Sequence, residues 1–279
     1  MTIRPGPEVL RCVGLPADAD LEPAGGATGA QWKVCVDGAT YALRLSRSKK
    51  EMARQVAAMT AARSVGLPVP EVLQCASTAS HEVMLCTWLP GTPIYELLPA
   101  RPNDAYHFGH LMGVAQRALH QAPAPAALPA VKPPVLEDGS SPAELVGRSA
   151  VLHMDFHPYN VLVDDHGVSG IVDWVNAGAG HPLLDLARTH ALLIVEPELQ
   201  KFGPDVRRIV ATLAEGWADG YGEAARSIPP ICHAWAGAAM LAERAPRYAH
   251  DPAILDELRA WTEQWRQRAV RRPADRGPR

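Results

Sequence analysis

The sequence has few cysteines, and their spacing matches no metal or disulfide motif. There are five in 279 residues, an odd number, and no two of them form a C-x-x-C pair. A disulfide framework or a zinc cluster needs evenly paired or closely spaced cysteines. The scatter is typical of a protein in a reducing compartment, and we expect a cytoplasmic location.

The sequence also lacks a long hydrophobic run. A membrane-spanning helix needs about 20 consecutive apolar residues, whereas the best run, at 191–195, stops at Glu196. The N-terminal segment carries two prolines and has no apolar stretch of the kind found in a signal peptide. We therefore expect no membrane partner.

The chain also has no strong excess of positively or negatively charged residues. The formal net charge is −3 and the sequence pI is about 6.4, so the basic excess of a nucleic-acid-binding protein is absent. Hydrophobic residues make up 47% of the chain, which is enough to build one large domain or two modest ones. No apolar stripe marks an oligomer interface, and we expect a monomer that binds no nucleic acid.

The N-terminal third of the chain reads as strands with one helix. Residues 32–36 and 40–45 are β-prone and flank Asp37-Gly38, a dipeptide that favours a hairpin turn. Apolar residues at helical spacing predict a helix over 49–63, and 82–87 reads as another strand. A bend at 88–91 follows, so we predict an N-terminal lobe over 1–89 with a hinge at about 86–89.

The rest of the chain, 90–279, is predicted to be a larger and mainly helical lobe. Helical patterns cover 103–119, 182–194, 205–221, 230–244 and 251 to about 271. Short β-prone runs lie at 150–152, 160–163 and 168–172, and capping-box spacing at 141–144 predicts a further short helix. The expected fold class is therefore α+β, with a small β-rich lobe followed by a helical one.

One segment of the helical lobe carries residues suited to phosphoryl transfer. It contains His153-x-Asp155-x-x-x-x-Asn160, with Asp173 thirteen residues further on at the end of a β-prone run. Transfer from ATP requires an oriented acceptor and Mg²⁺ bridging the phosphates. Asp155 can receive the acceptor proton, and the oxygens of Asn160 and Asp173 are ligands that Mg²⁺ prefers.

Three linked segments resemble the aminoglycoside phosphotransferase family. They are His153–Asn160, Ile171–Trp174 and Gly180–Ala187, and they occur in the family's order. The resemblance covers roughly residues 20–245. It implies a protein-kinase-like two-lobe fold and an ATP- and Mg²⁺-dependent phosphotransferase with an alcohol group on a small molecule as acceptor.

The resemblance also assigns roles within the helical lobe. It makes Asp155 the catalytic base, Asn160 and Asp173 the metal ligands, His153 a support of the catalytic loop and Asp185 a buried organiser. Two positions depart from the family: Met154 replaces a glycine, and His181 replaces an aspartate. Neither departure removes a metal ligand or the base.

In the N-terminal lobe the resemblance points to nucleotide-binding residues. Gly25 and Gly26 lie in the expected phosphate-covering turn, and Arg44 stands where a strand cation would hold the ATP phosphates. Gln55 stands where the family's partner glutamate is expected, although it can offer only hydrogen bonds. Glu51, one turn earlier, is the alternative partner of Arg44.

The predicted hinge would pair with the adenine edge of the nucleotide. By the resemblance, the residues that contact the base are Thr87, Trp88 and Leu89. Trp88 and Trp174 are otherwise typical packing residues.

The family phosphorylates antibiotics and metabolites, so the acceptor stays open. Acidic residues of the helical lobe can cradle a cation, and the short 119–153 connection suits a bulky acceptor. The acidic candidates are Glu196, Glu198, Asp205, Glu215, Asp219, Glu223 and Glu243. We expect a cationic acceptor, an aminoglycoside or a cyclic peptide of the viomycin/capreomycin type, whose phosphorylation inactivates it.

Two alternatives remain. One is a metabolic small-molecule kinase for choline, homoserine or a sugar. The other is a nucleotide-binding pseudokinase scaffold, motivated by Gln55 and Met154. The pseudokinase would bind ATP without turnover.

Overall fold

The computed structural model describes residues 4–24, 31–136 and 139–270. Its N-terminal region is a five-stranded antiparallel sheet in the order β1-β2-β3-β5-β4. The strands are β1 (Asp20–Pro23), β2 (Gln31–Val36), β3 (Ala39–Ser46), β4 (Val72–Ser77) and β5 (Glu82–Thr87). One short helix, α1 (Pro7–Cys12), precedes the sheet, and α2 (Lys49–Ser64) lies between β3 and β4.

The local signals that predicted this sheet correspond to its geometry. Asp37 and Gly38 both adopt positive φ, 50° and 78°, which is the backbone that the predicted hairpin turn between β2 and β3 requires. Helix α2 begins after Ser48, whose hydroxyl accepts a hydrogen bond from the Glu51 N–H at 3.2 Å. Thus β2, β3, β5 and α2 form where the sequence places them.

The C-terminal region is mainly helical and carries two small sheets. The helices are α3 (Ile94–Leu97), α4 (Ala105–Leu119), α5 (Pro182–Ile194), α6 (Pro204–Tyr221), α7 (Glu223–Arg226), α8 (Pro230–Arg244) and α9 (Asp256–Val270). The strands are β6 (Thr92–Pro93), β7 (Ala150–Leu152), β8 (Val161–Asp164), β9 (Gly167–Ile171) and β10 (Gly178–Gly180), paired as β6-β8-β9 and β7-β10. The predicted α+β class is confirmed.

Some local predictions were wrong. The segment at 141–144 does not start an α-helix; it forms only a 3₁₀ turn, Ala143–Leu145, because Val146 is extended and no side chain caps the turn. The last helix begins at Asp256, after a separate 3₁₀ turn, Pro252–Leu255. Strand β4 was missed because it is an edge strand with mostly exposed residues and no clear apolar alternation.

No helix in the described ranges is long and apolar enough to cross a membrane. The lobe boundary at 89 stays a prediction.

Four glycines bring α4 and α6 into backbone contact. Gly109 and Gly113 of α4 face Gly216 and Gly220 of α6, and a Cβ added at any of the four would lie 1.9–2.1 Å from a backbone carbonyl oxygen of the other helix. Gly109 lies beside Leu213 and Gly113 beside Trp217, so the helices run in the same direction. This close approach sets the position of α4, which carries buried polar residues of the site.

We expect Gly113→Ala to destabilise the protein by about 3 kcal/mol, because overpacking at a contact that cannot relax costs 1–3 kcal/mol or more. Urea unfolding measures the effect. Gly203→Ala is the matched control: Gly203 has open space around its Cα and an ordinary φ of −68°. Equal free energies of unfolding for the two variants would contradict the packing argument.

One buried and one half-buried histidine, His233 and His190, are expected to make the helical region acid-sensitive. His190 of α5 and His233 of α8 lie with ring centroids 4.8 Å apart, and neither Nδ1 has a hydrogen-bond partner in the described part of the chain. Burial lowers the pKa of His190 to about 4 and that of His233 to about 3. Both side chains are therefore neutral in the folded protein near pH 7.

The pKa of each of these histidines is lower in the folded protein than its unfolded value of about 6.5. As the pH falls, both therefore take up protons in the unfolded chain before they do so in the folded protein. Stability is therefore lost as the pH falls below about 6.5. We expect the free energy of unfolding to drop between pH 7 and 5 by about 2 kcal/mol more in the wild type than in His233→Phe. Urea titrations at the two pH values measure the difference, and parallel losses in both proteins would contradict it.

Candidate active site

The residues predicted to do chemistry lie in the loop between β7 and β8 and in the turn after β9. His153 is fully buried, and its Nε2 lies 3.0 Å from the carbonyl oxygen of Val172. A carbonyl can only accept, so Nε2 carries the proton and donates it. Burial lowers the pKa of His153, and the neutral ring joins the loop to the segment that leads into Asp173. This contact fits the supporting role expected of His153.

Asp185 holds the other side of the same loop. It is fully buried near the start of α5, and its carboxylate accepts the backbone N–H groups of His153 at 3.3 Å and Met154 at 2.6 Å. The side chains of Gln116 on α4 and of His120, directly after α4, complete the set, each 3.0 Å away. Burial alone would raise the pKa of Asp185, but the contacts with His120, Gln116 and His153 outweigh it and lower the pKa.

Met154, where the resemblance led us to expect a glycine, adopts a glycine-like conformation. Its φ is +66°, in the left-handed region that a residue with a side chain enters at a cost of about 1–2 kcal/mol. The N–H bond to Asp185 requires this backbone, and the half-buried side chain packs against the core. The substitution has therefore kept the loop geometry, with strain offset by packing.

Asp155 lies at the centre of the loop with its side chain 19% exposed. Its Oδ1 is 3.6 Å from His157 Nε2, and its backbone carbonyl accepts the Asn160 Nδ2–H at 2.9 Å. Burial would raise the pKa of Asp155, but the hydrogen bond and charge of His157, with the nearby His153 and Arg188, lower it to about 2. The carboxylate is therefore ionised at any pH where the protein works.

The two predicted metal ligands offer oxygen atoms near Asp155. The Asn160 amide nitrogen points at Asp155, which leaves its amide oxygen for another partner. Asp173 adopts a φ of +61°, and its Oδ1 is buried without a hydrogen-bond partner in the described ranges. The nearest cation to this oxygen is the Arg44 guanidinium, 3.6 Å away, so the atom can still accept a closer cationic partner. No group of three or more His, Cys, Asp or Glu that could hold a metal ion occurs in these ranges, at this site or elsewhere.

Arg44 approaches Asp173 rather than Gln55. Its Nη2 lies 3.6 Å from Asp173 Oδ1, whereas the Gln55 amide donates to the Glu51 carboxylate at 3.3 Å. Among the described residues, no hydrogen bond joins Gln55 or Glu51 to Arg44. The partner of Arg44 in this structure is therefore the predicted metal ligand.

The other phosphate-binding prediction, Gly25 and Gly26, lies outside the described residues. Neither Arg44 nor Gln55 lines the cleft described next.

A cleft of about 780 Å³ joins the hinge to the catalytic loop. Thr87, Trp88 and Leu89 line it, as predicted for the adenine site, and Ala42 of β3 lies on the same side. Asp155, Asn160 and Asp173 line it as well. Its size is ordinary for a small-molecule site. The structure thus brings the predicted base, metal ligands and hinge to one cavity.

Several cleft residues were not predicted as site residues. They are Glu96 of α3, Tyr159 of the catalytic loop, Arg188 of α5, and Arg244 and Arg247 at and after the end of α8. Tyr159 is half exposed and stacks on Tyr95, with ring centroids 3.7 Å apart. Of the acids proposed to cradle the acceptor, Glu243 lines this cleft.

The sequence matches the model of the phosphotransferase enzyme family, APH, over residues 21–139 and 138–235. The chain belongs to this family. The match confirms the predicted enzyme class, an ATP-dependent phosphotransferase acting on hydroxyl groups. Among curated proteins, none matches the chain.

Several solved structures share the fold. A thermostable mutant of aminoglycoside phosphotransferase APH(4)-Ia, in ternary complex with AMP-PNP and hygromycin B, is 16% identical with a TM-score of 0.62, and 88% of this chain and 95% of that chain are covered. APH(3'')-Id from Streptomyces rimosus, in complex with ADP and streptomycin, is 20% identical with a TM-score of 0.56. The match covers 82% of this chain and 93% of that chain. The apoenzyme of macrolide 2'-phosphotransferase MphH from Brachybacterium faecium is 19% identical with a TM-score of 0.52. The match covers 96% of this chain and 98% of that chain. At these identities the likeness shows the two-lobe, kinase-like fold.

We expect Met154→Gly to keep turnover within about threefold of the wild type, because glycine adopts φ of +66° without strain and the Asp185 contact uses only the backbone. Met154→Ile should lower turnover at least about tenfold, because a β-branched residue is disfavoured in this region. Steady-state ADP release measures both. A large gain in Met154→Gly would mean instead that methionine distorts the loop.

Proposed function

We propose that this protein transfers the γ-phosphoryl group of ATP to a hydroxyl of a small molecule, in a reaction that requires Mg²⁺. The observation that supports this most directly is the meeting of Asp155, Asn160 and Asp173 with the hinge residues in one cleft. Phosphoryl transfer depends on positioning and on charge stabilisation. A cavity that holds a nucleotide, a cation and an acceptor side by side meets both needs.

Asp155 orients the acceptor and takes its proton. Its pKa of about 2 makes it a weak base, so its carboxylate acts first by accepting a hydrogen bond from the acceptor hydroxyl. Proton transfer follows as the new P–O bond forms and the hydroxyl becomes acidic. His157, beside Asp155, keeps the carboxylate ionised and fixes its orientation.

Asn160 and Asp173 would hold Mg²⁺. Their amide and carboxylate oxygens are the hard ligands that this ion prefers, and the orphaned Oδ1 of Asp173 is the kind of atom that a cation satisfies. When bound, Mg²⁺ would neutralise the negative charge that develops on the phosphoryl group. Arg44, 3.6 Å from Asp173, is placed to add its charge on the phosphate side. The hinge at Thr87–Leu89 would receive the adenine.

The class of acceptor is a separate question. Two similar structures contain hygromycin B and streptomycin, respectively. Antibiotics, which phosphorylation would inactivate, are therefore the first class of acceptor to test. The second candidate is a metabolic kinase. One observation favours it. Glu243 lines the cleft and is among the acids predicted to bind a cationic acceptor, but its carboxylate is already ion-paired with Arg188.

The test of the proposed function is ADP release by purified protein with Mg-ATP across aminoglycosides, tuberactinomycin-type peptides, macrolides, choline, homoserine and sugars. We expect Asp155→Asn to lower turnover by about 10²–10⁴-fold, the usual share of general acid–base catalysis. Asp165→Asn, the same change at an exposed residue of the β8–β9 turn, is the control and should leave turnover unchanged.

Asp173→Asn separates the metal role from a structural one. Asparagine tolerates a φ of +61°, so the fold should persist while the Mg²⁺ concentration needed for half-maximal activity rises at least about tenfold. Nucleotide binding without ADP release in the wild type, for every acceptor, would favour the pseudokinase alternative. Monomeric state and cytoplasmic location stay predictions.

A further inference from the structure

The wall of the cleft formed by the helical lobe is rich in arginine. Arg188 comes from α5, Arg244 ends α8, and Arg247 follows it in the next turn; all three line the cleft near Asp155. A single other carboxylate, Glu243, lines this wall. The cleft as a whole is lined by these three arginines and by four carboxylates, Glu96, Asp155, Asp173 and Glu243, and their pairing decides which charges a ligand meets.

The carboxylates beside these arginines are already engaged. Glu243 pairs with the Arg188 Nη2 group. Glu196 accepts two hydrogen bonds from Arg244, at 3.0 Å from Nε and 2.9 Å from Nη2, in a forked geometry that is the strong form of this pair. An acceptor amine would have to break one of these pairs to find a negative partner.

The positive charge of Arg247 is only partly neutralised by its carboxylate partner. Its Nη2 donates to Glu198 at 3.2 Å, but Glu198 also accepts from Lys201 at 2.7 Å and from the Tyr248 hydroxyl. Two cations thus share one carboxylate, and the Arg247 side chain remains 61% exposed at the cleft. The excess positive charge lies where a ligand can reach it.

Two of the guanidinium nitrogen donors of Arg188 have no hydrogen-bond partner among the described residues. The residue is 3% exposed, and its Nε and Nη1 are buried without a hydrogen-bond partner in the described ranges. Buried guanidinium donors left unpaired are costly. The planar fork of a guanidinium matches a carboxylate or a phosphate, which can accept two N–H groups at once. An anion placed against this wall would add the negative charge that it lacks.

We propose that the acceptor carries an anionic group, a carboxylate or a phosphate, and that Arg247 and Arg244 bind it above Arg188 while Asp155 faces the acceptor hydroxyl. This inference rests on the proposed function, because it defines the acceptor of the same site. It also narrows the acceptor class. A polycation would place ammonium groups beside three guanidiniums with no unpaired carboxylate on that wall, which is a repulsive arrangement.

The experiment compares hydroxyl compounds that differ only in charge. One set is glycerol, glycerate and glycerol 3-phosphate, the other is glucose, gluconate and glucose 6-phosphate, and hygromycin B and streptomycin are the polycations. Binding is measured by thermal unfolding with Mg-AMP-PNP at constant ionic strength, and turnover by ADP release with Mg-ATP. The carboxylate and phosphate members of each set separate the two anion types.

We expect at least one anionic member to bind about tenfold more tightly than its neutral partner. Arg247→Gln should remove this preference. Two controls should keep it: Arg208→Gln, an exposed α6 arginine paired with Asp205 and outside the cleft, and Glu96→Gln, which removes a charge from the other wall. Equal binding of all members in the wild type, or unchanged preference in Arg247→Gln, would overturn the proposal.

The two proposals can fail separately. Turnover of hygromycin B or streptomycin, with the same half-saturating concentration in Arg247→Gln, would support phosphotransferase function and overturn the anionic acceptor. An anion preference that depends on Arg247, without ADP release from any compound, would retain the anion site and overturn the proposed function for these compounds.

Discussion

The catalytic loop depends on a buried carboxylate that takes no part in the chemistry. Asp185 receives two backbone N–H groups from the loop and side-chain contacts from Gln116 of α4 and from His120, which follows α4, and this set of contacts overcomes the cost of burying its charge. Breaking a buried charged network of this kind typically costs 3–5 kcal/mol. Because Asp185 belongs to α5 and its partners come from the loop and from α4 and its C-terminal end, the charge of Asp185 couples the position of Asp155 to the packing of the helical lobe.

The same dependence explains two features that look unrelated. The glycine contacts between α4 and α6 allow Trp217 to donate to Gln116 at 2.7 Å, which orients the Gln116 amide towards Asp185. Met154 bears a strained φ because its N–H must reach the same carboxylate. In both cases local strain or close approach is retained because it keeps the donors of Asp185 in place.

Sequence reasoning brought together Asp155, Asn160 and Asp173, which line one cleft in the structure, because their signal is local. Asp155 and Asn160 are five residues apart on one loop, and Asp173 follows across a short hairpin, so spacing alone predicts that they meet. The arginine wall gave no such signal. Arg188 and Arg247 come from distant segments, and nothing in the sequence shows that Glu243, Glu196 and Glu198 are paired with arginines rather than available to a cation. Likewise, the capping-box letters at 141–144 could not reveal that the backbone stays extended after a single turn.

Charge pairing also changes what the cleft is expected to recognise. From composition, acids in the helical lobe favoured a cationic acceptor, whereas the geometry leaves two Arg188 donors unpaired and the Arg247 side chain exposed at the cleft. Surface ion pairs contribute little to stability, but those at the edge of a binding site decide which charges a ligand encounters. The identity of the acceptor therefore depends on side-chain partners more than on the count of acidic residues.

The most direct test of the central claim is a crystal structure of the protein with Mg²⁺ and AMP-PNP. The account predicts Mg²⁺ about 2.1 Å from oxygens of Asn160 and Asp173, the adenine against Thr87–Leu89, and the γ-phosphate facing Asp155. A nucleotide bound elsewhere, or a metal that leaves Asp173 uncoordinated, would contradict it.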